Sequence, residues 1–168
     1  MDAIVYTSNS GYTAQYAKML SAKTGLPVFA LAEAGKKLKK GSEIIYMGWL
    51  MAGFIKGYKK AVSAYSVKSA VGVCMGGTGS QIPDVKKNNK IPDNIPVFTL
   101  QGGFDMNKLH GIYKFMMSFM IKVIGKDLEN RKSLTADEEA MLDMVKNGGN
   151  YVSERNLTDL LAWLETAK

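Results

Sequence analysis

Short apolar runs alternate along this chain with stretches in which apolar residues recur every three or four positions. Ala3-Ile4-Val5-Tyr6, Val28-Phe29-Ala30-Leu31, Ile44-Ile45-Tyr46-Met47, Ala70 to Met75 and Pro96 to Leu100 have the length and texture of strands buried on both faces. Polar or glycine-rich turns stop three of them: Thr7-Ser8-Asn9-Ser10-Gly11, Gly76-Gly77-Thr78-Gly79-Ser80 and Gln101-Gly102-Gly103. Between the runs, Tyr12, Tyr16, Met19 and Leu20 fall at helical spacing, and Gly25-Leu26-Pro27 ends that helix. Ala32 to Lys40 predicts a short basic helix or turn, and Tyr58 to Tyr65 a helix. Gly48 to Gly57 reads as a loop with unusual aromatic content, and Val85 to Asn94 as a polar Lys/Asn loop. Further helices are expected at about 107–124, 135–147 and 156–166.

Strands alternating with helices imply βαβ units and a parallel sheet. Five strands within residues 1–103 predict a three-layer doubly wound α/β domain, with ligand bound at the carboxyl ends of the strands. One C-terminal helix must cover the sheet. Residues 156–166 are the choice, which leaves about 105–147 as a helical insertion before the last helix of a single domain spanning 1–168.

Composition narrows the class. The chain has 168 residues, 46% of them hydrophobic and 22% charged, which are ordinary globular proportions. One Cys, Cys74, and one His, His110, cannot make an internal disulfide or a structural zinc site. No signal peptide is visible at the start and no run is long enough to span a membrane, so a cytoplasmic protein is expected. The formal net charge is +7, unevenly spread: residues 1–126 hold 17 Lys and 6 acidic residues, while 127–168 carry an acidic excess. The basic part suits an anionic cofactor, substrate or lipid surface. The lysine pairs at 36–37, 39–40 and 86–87 read as solvated faces, because no nucleic-acid recognition motif or Arg cluster accompanies them.

Candidate chemistry sits in three loops. Thr7 to Thr13 lies between a strand and a helix, where hydroxyls, backbone N–H groups and the helix N-terminus converge, a combination suited to a phosphate. An ordinary turn with a Ser or Thr N-cap is the alternative. The motif is neither a Walker A loop nor a GxGxxG turn. Gly48 to Phe54 and Cys74 to Ser80 follow the third and fourth strands. Cys74 has no neighbouring Lys, Arg or His to activate it and reads as a buried strand-end residue.

Ser8-Asn9-Ser10-Gly11-Tyr12-Thr13, directly after Ile4-Val5-Tyr6, resembles the phosphate loop of flavodoxins, Ser/Thr-x-Ser/Thr-Gly-x-Thr. The resemblance implies a flavodoxin-like α/β/α sandwich with a five-stranded parallel sheet in order 2-1-3-4-5. It implies one FMN, with Ser8, Asn9, Ser10, Gly11, Tyr12 and Thr13 around the phosphate. Trp49, Leu50, Met51, Ala52, Gly53 and Phe54 would pass one side of the ring, and Gly76, Gly77, Thr78 and Gly79 the other.

A second resemblance lies further on. Phe119-Met120-Ile121-Lys122-Val123-Ile124-Gly125-Lys126, before Asp127-Leu128-Glu129, is similar to the corresponding segment of menaquinone-dependent protoporphyrinogen oxidases, which are flavodoxin-like FMN enzymes. It implies an oxidoreductase with a quinone or porphyrin-type substrate. A soluble flavodoxin-type electron carrier serving a redox partner is the alternative. The chain departs from those oxidases at Trp49-Leu50-Met51 and in the Asn/Lys stretch at 86–94, so fold and FMN carry over better than substrate. The Met- and Phe-rich segment 107–124 is apolar nearly all round. It suits a membrane interface, a homodimer partner or the domain's own core.

Overall fold

The computed structural model describes residues 1–75, 79, 81–129 and 147–167. Its centre is a mostly parallel sheet. Strands β1 (Ala3–Thr7), β2 (Val28–Ala30), β3 (Glu43–Met51), β5 (Ser66–Cys74) and β6 (Val97–Gln101) lie in the order β2-β1-β3-β5-β6, and the short β4 (Phe54–Ile55) pairs antiparallel with β3. The order changes direction beside β1, because the chain first places β2 on one side of it and then β3 on the other.

The period-two alternation of the strands feeds two separate cores. Ala3, Val5, Ile44 and Tyr46 face one way, against Ala34 of α2 (Leu31–Ala34), Tyr58 and Ala61 of α3 (Tyr58–Ala64) and Val85 of α4 (Ile82–Asn89). Ile4, Ile45, Met47 and Val71 face the other way. They meet Tyr16, Ala17 and Leu20 of α1 (Tyr12–Thr24) and Leu160 and Leu164 of the last helix, α6 (Thr158–Thr166). The last helix therefore covers the sheet, as its apolar spacing predicts.

Two expected loops are regular structure instead. The stretch after Met47 continues as strand to Met51, turns at Ala52 and Gly53, and returns as β4. Both turn residues have positive φ, 49° and 76°, which is what a two-residue hairpin requires. Gly48 is no strand end. It is glycine because a Cβ there would lie 2.5 Å from the Lys56 carbonyl oxygen of the returning chain. Of the expected loop Val85 to Asn94, the first part belongs to α4 (Ile82–Asn89), with Pro83 and Asp84 in its first turn and Lys86 and Lys87 in its last, as the helix dipole favours.

Beyond β6 a two-stranded antiparallel pair, β7 (Gly103–Phe104) and β8 (Gly149–Asn150), brings together the chain leaving the sheet and the chain returning to it. Between them, after a short 3-10 turn at Met106–Lys108, runs the long helix α5 (Gly111–Glu129). The expected helix at 135–147 lies almost wholly outside the described residues. Among the described residues no helix is long and apolar enough to cross a membrane.

Candidate functional site

The pairing register sets the carboxyl ends of four strands side by side: Thr7 opposite Gly48, Trp49 opposite Val73, and Cys74 opposite Gln101. All three candidate loops therefore leave the same edge of the sheet. The first leaves β1, where the strand order changes direction and where open α/β sheets bind their ligands.

In the first loop, Gly11 takes φ 91° and starts α1 without a side-chain cap, so the Ser or Thr N-cap alternative does not describe it. Its N–H donates to Ser8 Oγ at 3.2 Å, folding the loop back on itself. The first intrahelical bond is Gln15 N–H to Gly11 O at 3.0 Å. The amides of Tyr12, Thr13 and Ala14 precede it and have no intrahelical acceptor. Asn9 Nδ2 is buried and has no hydrogen-bond partner among the described residues. A buried donor left unpaired costs free energy, and an acceptor supplied from outside would recover it. The loop thus offers several donors and the positive end of a thirteen-residue helix.

The six candidate residues do not all turn toward that space. Tyr12 is buried: its hydroxyl donates to Gly149 O at 3.3 Å, and its ring lies under Gly103, whose Cβ would fall 2.7 Å from it. Tyr12 fastens the β7–β8 pair to α1. Thr13 is buried as well, while Ser8, Asn9, Ser10 and Gly11 are half-buried.

The segment 49–54 splits likewise. Trp49 is half-buried and meets the edge of Tyr113 on α5, ring centroids 4.9 Å apart. The Lys56 ammonium stands 5.6 Å from the Trp49 ring and 5.5 Å from that of Tyr113. Leu50 points to the opposite face of the sheet, over Gly72. Met51 pairs with Phe54, which is half exposed, and Ala52-Gly53 forms the turn. Asn89 of α4 fixes that turn. It accepts from Ile55 N–H at 2.9 Å and donates to Gly53 O at 2.9 Å and to Val85 O at 2.7 Å.

Of the third loop, Gly76, Gly77, Thr78 and Ser80 lie outside the described residues. Gly79 takes φ 90°, and its N–H donates to Thr99 Oγ1 at 2.7 Å. Cys74 is buried, and burial pushes its thiol up to about 11. At neutral pH it is a protonated core residue rather than a nucleophile. His110 is exposed, and no group of three metal-ligating side chains occurs among the described residues.

Three residues outside the expected set shape the site. Tyr46 and Asn89 position the two loops from beneath. Tyr16 donates to Gln101 O and accepts from Asn156 Nδ2 at 2.6 Å, holding the end of β6 against α1. Tyr46 and Tyr16 were legible only as apolar members of their elements. Their hydroxyl partners are distant in sequence. Comparison with protein-family models, with curated proteins and with solved structures finds no match to this chain.

Proposed function

We propose that the chain is a flavodoxin-like flavoprotein that binds one FMN at the carboxyl ends of β1, β3 and β5. The observation that carries the reading is the turn at residues 8–13. It combines hydroxyls, the first-turn amides of a helix N-terminus and the orphaned Asn9 Nδ2 at the point where the sheet order reverses. Counting only the parallel strands, the order is 2-1-3-4-5, and helices flank both faces of the sheet, which supports the flavodoxin-like assignment.

Ser8, Ser10, the Asn9 amide and the N–H groups of Tyr12 and Thr13 would hold the phosphate. The donor set fits a dianion, because it supplies hydrogen bonds and a dipole without needing a cation. Trp49 and the backbone at Gly53 and Gly76 to Gly79 would border the ring. The bound flavin would supply the electron-transfer chemistry, and the protein would position it and exclude water.

The substrate reading is an oxidoreductase resembling the quinone-dependent protoporphyrinogen oxidases. The +7 net charge supports it, since a carboxylated porphyrin is an anion and a basic surface draws it in. The deciding experiment is an absorbance spectrum after incubation with excess FMN and desalting. Retained flavin at one per chain, with quenched fluorescence, is expected. A colourless protein overturns the reading. With flavin retained, rapid reoxidation of the reduced protein by a soluble quinone marks the oxidoreductase, and indifference to quinone marks a carrier.

A further inference from the structure

Helix α5 is apolar on two sides, and among the described residues only one of them has a partner in the fold. Tyr113, Met117 and Ile121 form the inner side; all three are half-buried, and Tyr113 packs on Trp49. Ile112, Phe115, Met116 and Phe119 form the outer side, at the i, i+3, i+4, i+7 spacing that makes one continuous stripe. These four are 68%, 76%, 42% and 67% exposed. Single exposed apolar residues are commonplace on protein surfaces, but four large ones aligned on one helix face are not.

Residues 106–126 contain four Lys and no acidic residue, ahead of Asp127 and Glu129 at the end of the helix. Lys122 is exposed and, seven residues after Phe115, falls within about 20° of it around the helix axis, while the exposed Lys114 lies on the other side, beside Ile121. Bulky apolar side chains on a face edged by a long ammonium side chain suit the boundary between acyl chains and phosphate headgroups. The helix is not apolar enough to cross the bilayer.

We propose that the outer face of α5 docks the protein peripherally on an anionic lipid bilayer. The helix lies in the membrane plane, with Phe115 and Phe119 inserted and Lys122 at the headgroups. The contact between Tyr113 and Trp49 then places the carboxyl edge of the sheet next to the lipid surface. This inference does not depend on the flavin reading.

The test is co-sedimentation of the full chain with vesicles of phosphatidylcholine alone and of phosphatidylcholine mixed with phosphatidylglycerol. Binding to the mixed vesicles, weakened by added salt, is expected. The double variant F115S/F119S should lose at least about tenfold in partitioning with an unchanged circular dichroism spectrum, since it removes the inserted side chains. K122E keeps the aromatics and should weaken binding to the anionic vesicles specifically, which covers the case in which the first variant fails to fold. Equal binding to both vesicle types, or none to either, overturns the proposal. So does a wild-type dimer that ignores vesicles and that F115S/F119S converts to monomer, which would make the stripe an interface between copies.

Discussion

Tyr46 Oη donates to the Lys56 carbonyl oxygen at 2.6 Å and lies 2.8 Å from Thr7 Oγ1. A phenol has one proton, so the Thr7 hydroxyl is the donor in the second bond. One core side chain thus ties the end of β1, where the candidate phosphate loop begins, to the chain emerging from the β3–β4 hairpin. Gly57, at φ 83°, is glycine partly because a Cβ there would strike both hydroxyls. Tyr46→Phe removes the junction and leaves a carbonyl and a hydroxyl without partners. Urea unfolding should register a loss of about 1–3 kcal/mol, with little change in the dependence on denaturant. An unchanged midpoint would mean that water replaces the phenol at no cost.

Asn89 anchors the hairpin tip from α4 through two hydrogen bonds and is itself braced by a third to Val85 O. Asn89→Ala should cost about 1–3 kcal/mol, because Ile55 N–H and Gly53 O both lose their partner. The turn also carries a correctable strain. Ala52 sits at φ 49°, a region that disfavours any residue with a Cβ. Ala52→Gly should therefore raise stability by about 0.5–1 kcal/mol despite glycine's larger entropy in the unfolded chain. Thermal melts of the two variants should shift in opposite directions. A lowered melting temperature for Ala52→Gly would show that the Ala52 methyl has a packing role.

Alternation of apolar runs and helical spacing made the strands and the covering role of α6 legible, because Leu157, Leu160 and Leu164 repeat on one helical face and are buried. The errors have physical causes. Gly48 looked like a strand end, but what makes it glycine is the chain returning over it, a contact invisible until the hairpin exists. Helix α4 buries only Val85, so its hydrophobic period was too thin to read, although Pro83 at its start and the acid-to-base order along it were available signals. The β7–β8 pair joins residues 45 and 47 positions apart and left no local mark. The strand–loop–helix placement of residues 7–13 was legible because its signals are local. The fastening of the Tyr12 side chain to β8 was not, because its partner, Gly149, is distant in sequence.

Alkaline pH should destabilise the fold in two overlapping steps. Burial raises the Cys74 thiol from 9.0 to about 11 and the Tyr46 phenol from 10.0 to about 12, with the Thr7 bond opposing the second shift. In both cases the folded protein favours the neutral form. The associated stability is fully present below the unfolded pKa and is lost as pH rises through the folded one. The Cys74 contribution fades between pH 9 and about 11, and that of Tyr46 between pH 10 and about 12. Each is worth on the order of 2–3 kcal/mol at most. Urea midpoints should be flat at neutral pH and fall above pH 9. Cys74→Ala should flatten the first part of that fall, and a wild-type midpoint that holds steady to pH 11 would contradict the burial argument.

Asn9 separates stability from binding. Its Nδ2 is buried without a partner, so in the unliganded protein the side chain contributes an unmet donor rather than a bond. Asn9→Ala should leave the urea midpoint of the unliganded protein unchanged or slightly raised. If the loop holds the FMN phosphate, the same substitution removes a donor from a charged acceptor, and such hydrogen bonds are worth about 1.5–3 kcal/mol. Affinity for FMN, read by fluorescence quenching, should then fall roughly tenfold to a hundredfold. Ser10→Ala should weaken FMN in the same direction, and riboflavin, which lacks the phosphate, should bind wild type and Asn9→Ala alike. A variant that loses stability but not FMN affinity would show that Asn9 supports the loop from within and that the phosphate, if bound, is held by the α1 amides alone.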